Sequence, residues 1–258
     1  MGLMRNHQQA MQASRSIEPA GQKIASGARV LGTMPTGLMG GQKLAAMLSA
    51  SLTEDLKALH NVASVERKAD IKRNALIPKY RDYVERLMAD GQRHDLIGWF
   101  LVWCFDAGCI EDGLRVAFWC LEHGQTLPER FKASLPLFVA TQLLEWAERE
   151  YNAERTFEPY LSIVLLEIES DGPDSGNTWD LPDQVKAGFH RLLGLQAERE
   201  GKLSLAAQEL ERAFALGAKV KTALEAVKKR LARDGGQDGQ DEQQQQPSDP
   251  PEEGGAEA

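Results

Sequence analysis

The chain has 258 residues, 42% of them hydrophobic and 26% charged, and a formal net charge of −8. That composition suits a globular protein with a sizeable core. No apolar run reaches the roughly 18 residues of a membrane span, and the start, MGLMRNHQQAMQASR, lacks the apolar centre of a secretory signal. Gly2 does not open a myristoylation signal, because position 6 is Asn6 rather than Ser or Thr.

Charge is spread unevenly along the chain. Residues 1–95 carry 14 Lys/Arg against 9 Asp/Glu, residues 96–233 carry 16 against 21, and residues 234–258 carry none against 8. A basic front and an acidic end place any nucleic-acid contact toward the N-terminus. Cys104, Cys109 and Cys120 show no CxxC spacing and are too few for a disulfide framework, so they read as reduced thiols in a cytosolic setting.

Residues 1–41 hold seven Gly and two Pro without a sustained period, and read as a flexible arm. From residue 42 to 60 the spacing of Leu44, Met47, Leu48, Leu52, Leu56 and Leu59 predicts an amphipathic helix. Helical character extends through Arg67–Asn74, and Pro78 predicts a boundary, because a residue before proline is pushed out of the helical region. A helix then runs from near Lys79 to Asp90 and stops at Gly91. Asp95 is the predicted N-cap of the next helix. Its run LIGWFLVWCF is apolar almost all round, so it is predicted to be central and buried.

A helix over about Gly113–His123 stops at Gly124, and Thr126 with Pro128 predicts a fresh start. Further helices are expected over Ser134–Asn152, Phe157–Ser170, Asp180–Glu200, Leu203–Leu216 and Lys219–Arg233. DGPDSGNTWD is a loop dense in turn residues, and Val220, Leu224, Val227 and Leu231 form one stripe on the last helix. The tail after Arg233 is acidic, rich in Gln and disordered by composition. Leu193, Gly194, Ala197, Gly201, Ala206, Leu210 and Ala213 fall at tetratricopeptide-like offsets, and their small residues let two helices approach closely. The predicted fold is all-α: an antiparallel helical bundle with tetratricopeptide-like hairpins, a disordered N-terminal arm and a disordered C-terminal tail.

Catalytic motifs are missing: there is no GxxxxGK[ST], GxSxG, HExxH or DFG pattern. A metal-dependent nuclease needs carboxylates converging on a divalent ion. The candidates are Glu145 and Glu148, three apart on one predicted helix, with Asp171, Asp174, Asp180 and Asp183 in or near the loop. No metal or other cofactor is expected, with Mg2+ entering only under that nuclease reading. For phosphate contact the candidates are Arg67, Lys68, Lys72, Arg73, Lys79 and Arg81, with Arg5 and Arg15 in the arm. Lys68 and Lys72 stand one helical turn apart. Glu66, Asp70, Asp82 and Glu85 interleave with these cations, so the segment reads either as a phosphate-contacting face or as a charged surface with internal ion pairs.

A resemblance enters on ordered segments rather than on one motif. Leu76-Ile77-Pro78, Tyr83-Val84, Asp95-Leu96-Ile97, Val102-Trp103, Asp106-Ala107-Gly108, His123-Gly124 and Leu127 through Lys132 come in sequence. Leu181 through Ala187 and Lys228-Lys229-Arg230-Leu231 come after them. In this order they resemble the small terminase subunit of temperate tailed bacteriophages, over about residues 1–233. The resemblance implies a protein that binds the packaging site on concatemeric viral DNA and directs the large ATPase subunit during cleavage and packaging into proheads. It also implies a homo-oligomer at work in the host bacterial cytoplasm. Members often carry the label of terminase endonuclease subunit, which fits the cutting complex as a whole. Some members end in a basic segment, whereas this chain ends acidic.

The domain reading is an arm over 1–41, a basic helical DNA-contact region over 42–90, a helical core for assembly and large-subunit docking over 91–233, and a tail over 234–258. The rival functions are an endonuclease that itself cuts the packaging (cos) site and a helical scaffold with no DNA role.

Overall fold

The computed structural model describes residues 38–170 and 179–241, with side chains described over 43–170 and 179–234. Arg5, Arg15, the rest of the arm before residue 38, Asp171, Asp174 and the tail beyond residue 241 lie outside the described residues. The chain divides into two units, residues 1–44 and 45–258. The first contributes to the described residues only the opening of one helix, and all the other described residues belong to the second.

Every regular element among the described residues is helical. The order is α1 (Leu38–His60), α2 (Val65–Ile71), a π-helical turn (Lys72–Leu76), α3 (Ile77–Ala89), α4 (Asp95–Ala107) and α5 (Ile110–His123). After these come α6 (Leu135–Asn152), α7 (Tyr160–Ser170), α8 (Asp183–Arg199), α9 (Leu203–Ala215) and α10 (Lys221–Asp241). Sequence neighbours pack on each other: α4 on α5, α6 on α7, α8 on α9 and α9 on α10, with α8 also touching α6 and α7. The result is an antiparallel helical bundle. None of the described helices is long and apolar enough to cross a membrane.

Helix α4 is the centre of the first half and buries ten of its thirteen residues. Its apolar surround demands neighbours on every side, and α2, α3, α5 and the π-turn supply them. Trp103 is fully buried and packs its ring against Tyr80 of α3 and Trp99 of its own helix. Cys104 and Cys120 are buried thiols of the same core, and all three cysteines are free. A second cluster joins α8, α9 and α10 through Ala197, Ala206, Leu210, Ala213, Leu224 and Val227. Gly194 is the close-approach residue there: a Cβ at that position would stand 2.7 Å from Leu210 Cγ. Close hairpins of this kind occur in many helical folds, so the tetratricopeptide likeness remains an expectation of the sequence.

Three local expectations are corrected. Pro78 does not end the helical run, and Ile77 before it is helical, at φ −59° and ψ −49°. The π-turn is the reason. Ile77 N–H bonds to Lys72 O, five residues back, so the helix widens just where the proline ring would meet the preceding turn. At α4 the cap is His94 and not Asp95: His94 Nδ1 accepts from Leu96 N–H at 3.0 Å, and Asp95 sits in the first turn, where a negative charge suits the helix dipole. Thr126 and Pro128 start no helix, and α6 begins only after Ser134, whose Oγ accepts from Leu137 N–H at 3.4 Å. The intervening segment instead lies across the start of α4. A Cβ on Gly98 would stand 2.9 Å from Thr126 O and 3.1 Å from Pro128 Cδ, while Phe131 fills the space between Trp99 and Phe138.

Candidate functional site

The basic segment spans α2, the π-turn and α3, and the structure divides its cations into two sets. Lys72 Nζ lies 2.6 Å from Asp106 Oδ2, near the end of α4. Arg73 donates through Nε at 3.0 Å and Nη2 at 2.5 Å to Ala107 O, the last carbonyl of α4. A helix C-terminus carries unpaired carbonyls and partial negative charge, so two cations there satisfy both. Arg73 thus caps α4 from the neighbouring π-turn, and Lys72 pairs with the Asp106 side chain beside it.

Lys79 and Arg81 are spent in a similar way. Lys79 Nζ and Tyr80 Oη each lie 2.6 Å from Asp55 Oδ2 on α1, and Ser51 Oγ lies 2.9 Å from the same phenol oxygen. Burial alone would lower the Lys79 ammonium, but Asp55 and Tyr80 together outweigh it and the pKa rises. The Tyr80 phenol is pushed up, first by burial and then by its bond to Asp55. Arg81 grips Asp112 of α5 with two bonds, at 2.8 and 2.6 Å, and Arg115 adds a third at 3.3 Å. These four cations tie α1, α4 and α5 to the π-turn and α3.

Arg67 and Lys68 form the other set. Both sit on α2 with no ion pair among the described residues, Arg67 exposed and Lys68 half-buried. Ser64 caps this helix by accepting from the Arg67 backbone N–H at 3.2 Å, a bond that does not involve the guanidinium. Lys57 and His60 close α1 one short turn earlier and are both exposed. They are basic groups that motif reading passed over. The signal was their place in the last turn of a helix, next to the start of another. Together these residues set basic side chains on either side of one turn.

The carboxylates of the nuclease reading have other partners. Glu148 Oε1 takes a bond from Arg191 at 2.5 Å, and Glu145 Oε2 one from Gln142 at 3.2 Å. Both side chains are exposed, and Asp180 and Asp183 are exposed as well. No group of three or more His, Cys, Asp or Glu among the described residues is arranged to hold a metal ion. The most buried acid–base cluster lies elsewhere. His190 is 4% exposed and lies 2.7 Å from Glu209 and 3.5 Å from Glu169, with Arg212 reaching both carboxylates. It binds α7, α8 and α9 together.

Over 245 residues the chain is 27% identical to the "Probable terminase, endonuclease subunit" of Haemophilus phage HP1, covering 88% of this chain and 82% of the relative. Over 184 residues it is 28% identical to the "Terminase, endonuclease subunit" of Escherichia phage P2, covering 70% and 71%. No solved structure matches. The family described as phage small terminase subunit matches residues 49–184, a span that takes in the whole basic segment and the α4–α5 core. On that match, the chain belongs to the phage small terminase subunit family.

Proposed function

We propose that the chain is the DNA-binding, regulatory subunit of a phage terminase. It binds viral DNA at the packaging site and directs the large ATPase subunit as concatemeric DNA is cut and packaged. Phosphate contact comes from Arg67 and Lys68 on α2, joined by Arg5 and Arg15 of the arm. Lys72, Arg73, Lys79 and Arg81 serve that surface by fixing α2 and α3 on the core. The subunit works in the host bacterial cytoplasm as a homo-oligomer. The observation that carries this reading is the family match over residues 49–184, which encloses the basic helices and their supports.

Filter binding of the full chain to phage DNA with and without the packaging site tests the reading. The expected result is salt-dependent binding to both and tighter binding to the first. Equal or absent binding to both contradicts it.

The names of the two relatives, both terminase endonuclease subunits, favour a second reading, in which we take this subunit itself to cut the packaging (cos) site with Mg2+. Glu145 and Glu148 would then be the catalytic carboxylates. Their bonds to Gln142 and Arg191 would have to break before a cation could sit between them. Cleavage of cos DNA by the purified chain with Mg2+, lost in Glu145→Ala/Glu148→Ala, would establish this reading over the first.

A further inference from the structure

A groove of about 380 Å³ runs between α7 and the α8–α9 hairpin. Its apolar lining is Leu165 and Leu166 of α7, Leu193 and Ala197 of α8, and Leu205 of α9. Leu166 is 65% exposed and Leu205 46%, and both are among the few large apolar side chains that the described residues leave in solvent. Scattered exposed leucines need no explanation, but two lining one groove mark a contact surface.

The charges along the groove favour one sign. Four carboxylates line it, Glu158, Glu169, Glu200 and Glu209, against two cations, Lys202 and Arg212. Both cations are already engaged: Lys202 with Glu200 at 2.7 Å, Arg212 with Glu169 at 3.4 Å and Glu209 at 3.7 Å. Counting His190 against Glu209 and Glu169, four carboxylates still face three basic groups, so the described lining keeps an acidic excess and no unpaired cation.

We infer that this groove receives an amphipathic helix of the large terminase subunit, one whose apolar stripe is flanked by Lys or Arg. This rests on the proposed function, in which the chain works with a large subunit. An apolar groove of helical wall and floor takes a helix through residues spaced three or four apart, and an acidic rim selects basic flanks. A second copy of this chain fits less well. Among the described residues, α2 sets one exposed apolar residue, Val65, beside Arg67 and Lys68, which the proposed function gives to DNA, and α10 sets Leu231 beside several cations. Helix α10 offers one leucine, and Lys228 and Arg230 beside it are bound to Glu211 and Glu198.

The test uses the full chain and the purified large subunit of the same phage, with affinity read by calorimetry and mass by light scattering. Leu166→Asp/Leu205→Asp is expected to weaken large-subunit binding by about tenfold or more, with the thermal melt and DNA affinity unchanged. Glu158→Lys/Glu200→Lys is a second variant, expected to weaken the same binding without unfolding. Wild-type affinity in both variants overturns the groove assignment. So does a loss of oligomer mass with the large-subunit affinity intact, which would give the groove to a second copy. If the wild-type chain binds DNA but not the large subunit, the partnership itself fails, and the groove assignment falls with it.

Discussion

Arg81 and Asp112 form a two-pronged ion pair, with the Nη atoms 2.8 and 2.6 Å from the two carboxylate oxygens. The pair joins α3 to α5 across a sequence separation of 31 residues. Asp112 is half-buried. Burial alone would raise its carboxyl, but the hydrogen bonds and charge of Arg81, helped by Arg115, hold it below the ordinary value. Removing Arg81 leaves that carboxylate with Arg115 alone.

Arg81→Ala should therefore destabilise the fold by about 1–2 kcal/mol, a modest figure because the pair is partly exposed and screened. The pH dependence has a definite sign. A carboxylate with a depressed folded pKa stabilises above its unfolded value of about 3.9, and that stability is lost as pH falls through the lower folded value. Asp112→Asn should melt below wild type at pH 7, and the gap should narrow as pH drops below about 4. Thermal melts across pH 3–7 read it directly, and a constant gap would count against the pair.

Gly194 faces Leu210 so closely that an added Cβ would lie 2.7 Å from its Cγ and 3.1 Å from its backbone nitrogen. Leu210 Cγ has little room to retreat, because Leu210 is fully buried. Gly194→Ala should cost about 1–3 kcal/mol by overpacking, despite alanine's better helix propensity. A melting temperature at or above wild type would show that α8 and α9 have slack.

The cysteines should separate by reactivity. Burial pushes the Cys120 thiol up to about 12 and the Cys104 thiol higher still. Cys109, the least buried, is raised too, and it alone has ready access to solvent. The thiolate is the reactive form. Alkylation at pH 8 followed by mass mapping should label Cys109 first, with Cys104 and Cys120 labelled only on denaturation. Early labelling of Cys104 would mean that the α4–α5 core opens easily.

The helices were legible because their signals are local. The apolar surround of Leu96–Phe105 predicts a central helix, and Gly124 and Gly217 end helices at φ +63° and +92°, as stops of that kind should. The errors at Pro78 and Thr126 share a cause. Both rules are local, and each was overridden by packing: a π-turn gave the proline room, and the start of α4 drew Pro128 across Gly98. The candidate site was legible in composition but not in role. Charge spacing finds Lys72, Arg73, Lys79 and Arg81, yet it says nothing of Asp106, Ala107, Asp55 and Asp112, the distant positions that the fold sets against them. The groove beside Leu166 and Leu205 had no sequence signal, because its walls come from three separate helices.

The central claim is that the basic segment divides into cations that hold the fold and cations left free for DNA. The most direct measurement is the salt dependence of binding to packaging-site DNA, set beside thermal stability, for Arg67→Ala/Lys68→Ala and for Lys72→Ala/Lys79→Ala. The first pair should keep the wild-type melt, lose affinity and flatten the log–log salt slope by about 2, close to one unit for each phosphate contact. The second pair should lower the melting temperature by a few degrees, about 1–2 kcal/mol in all, with the salt slope of the folded protein unchanged. A wild-type slope in the Arg67/Lys68 variant, with a flattened slope in the Lys72/Lys79 variant, would contradict the division.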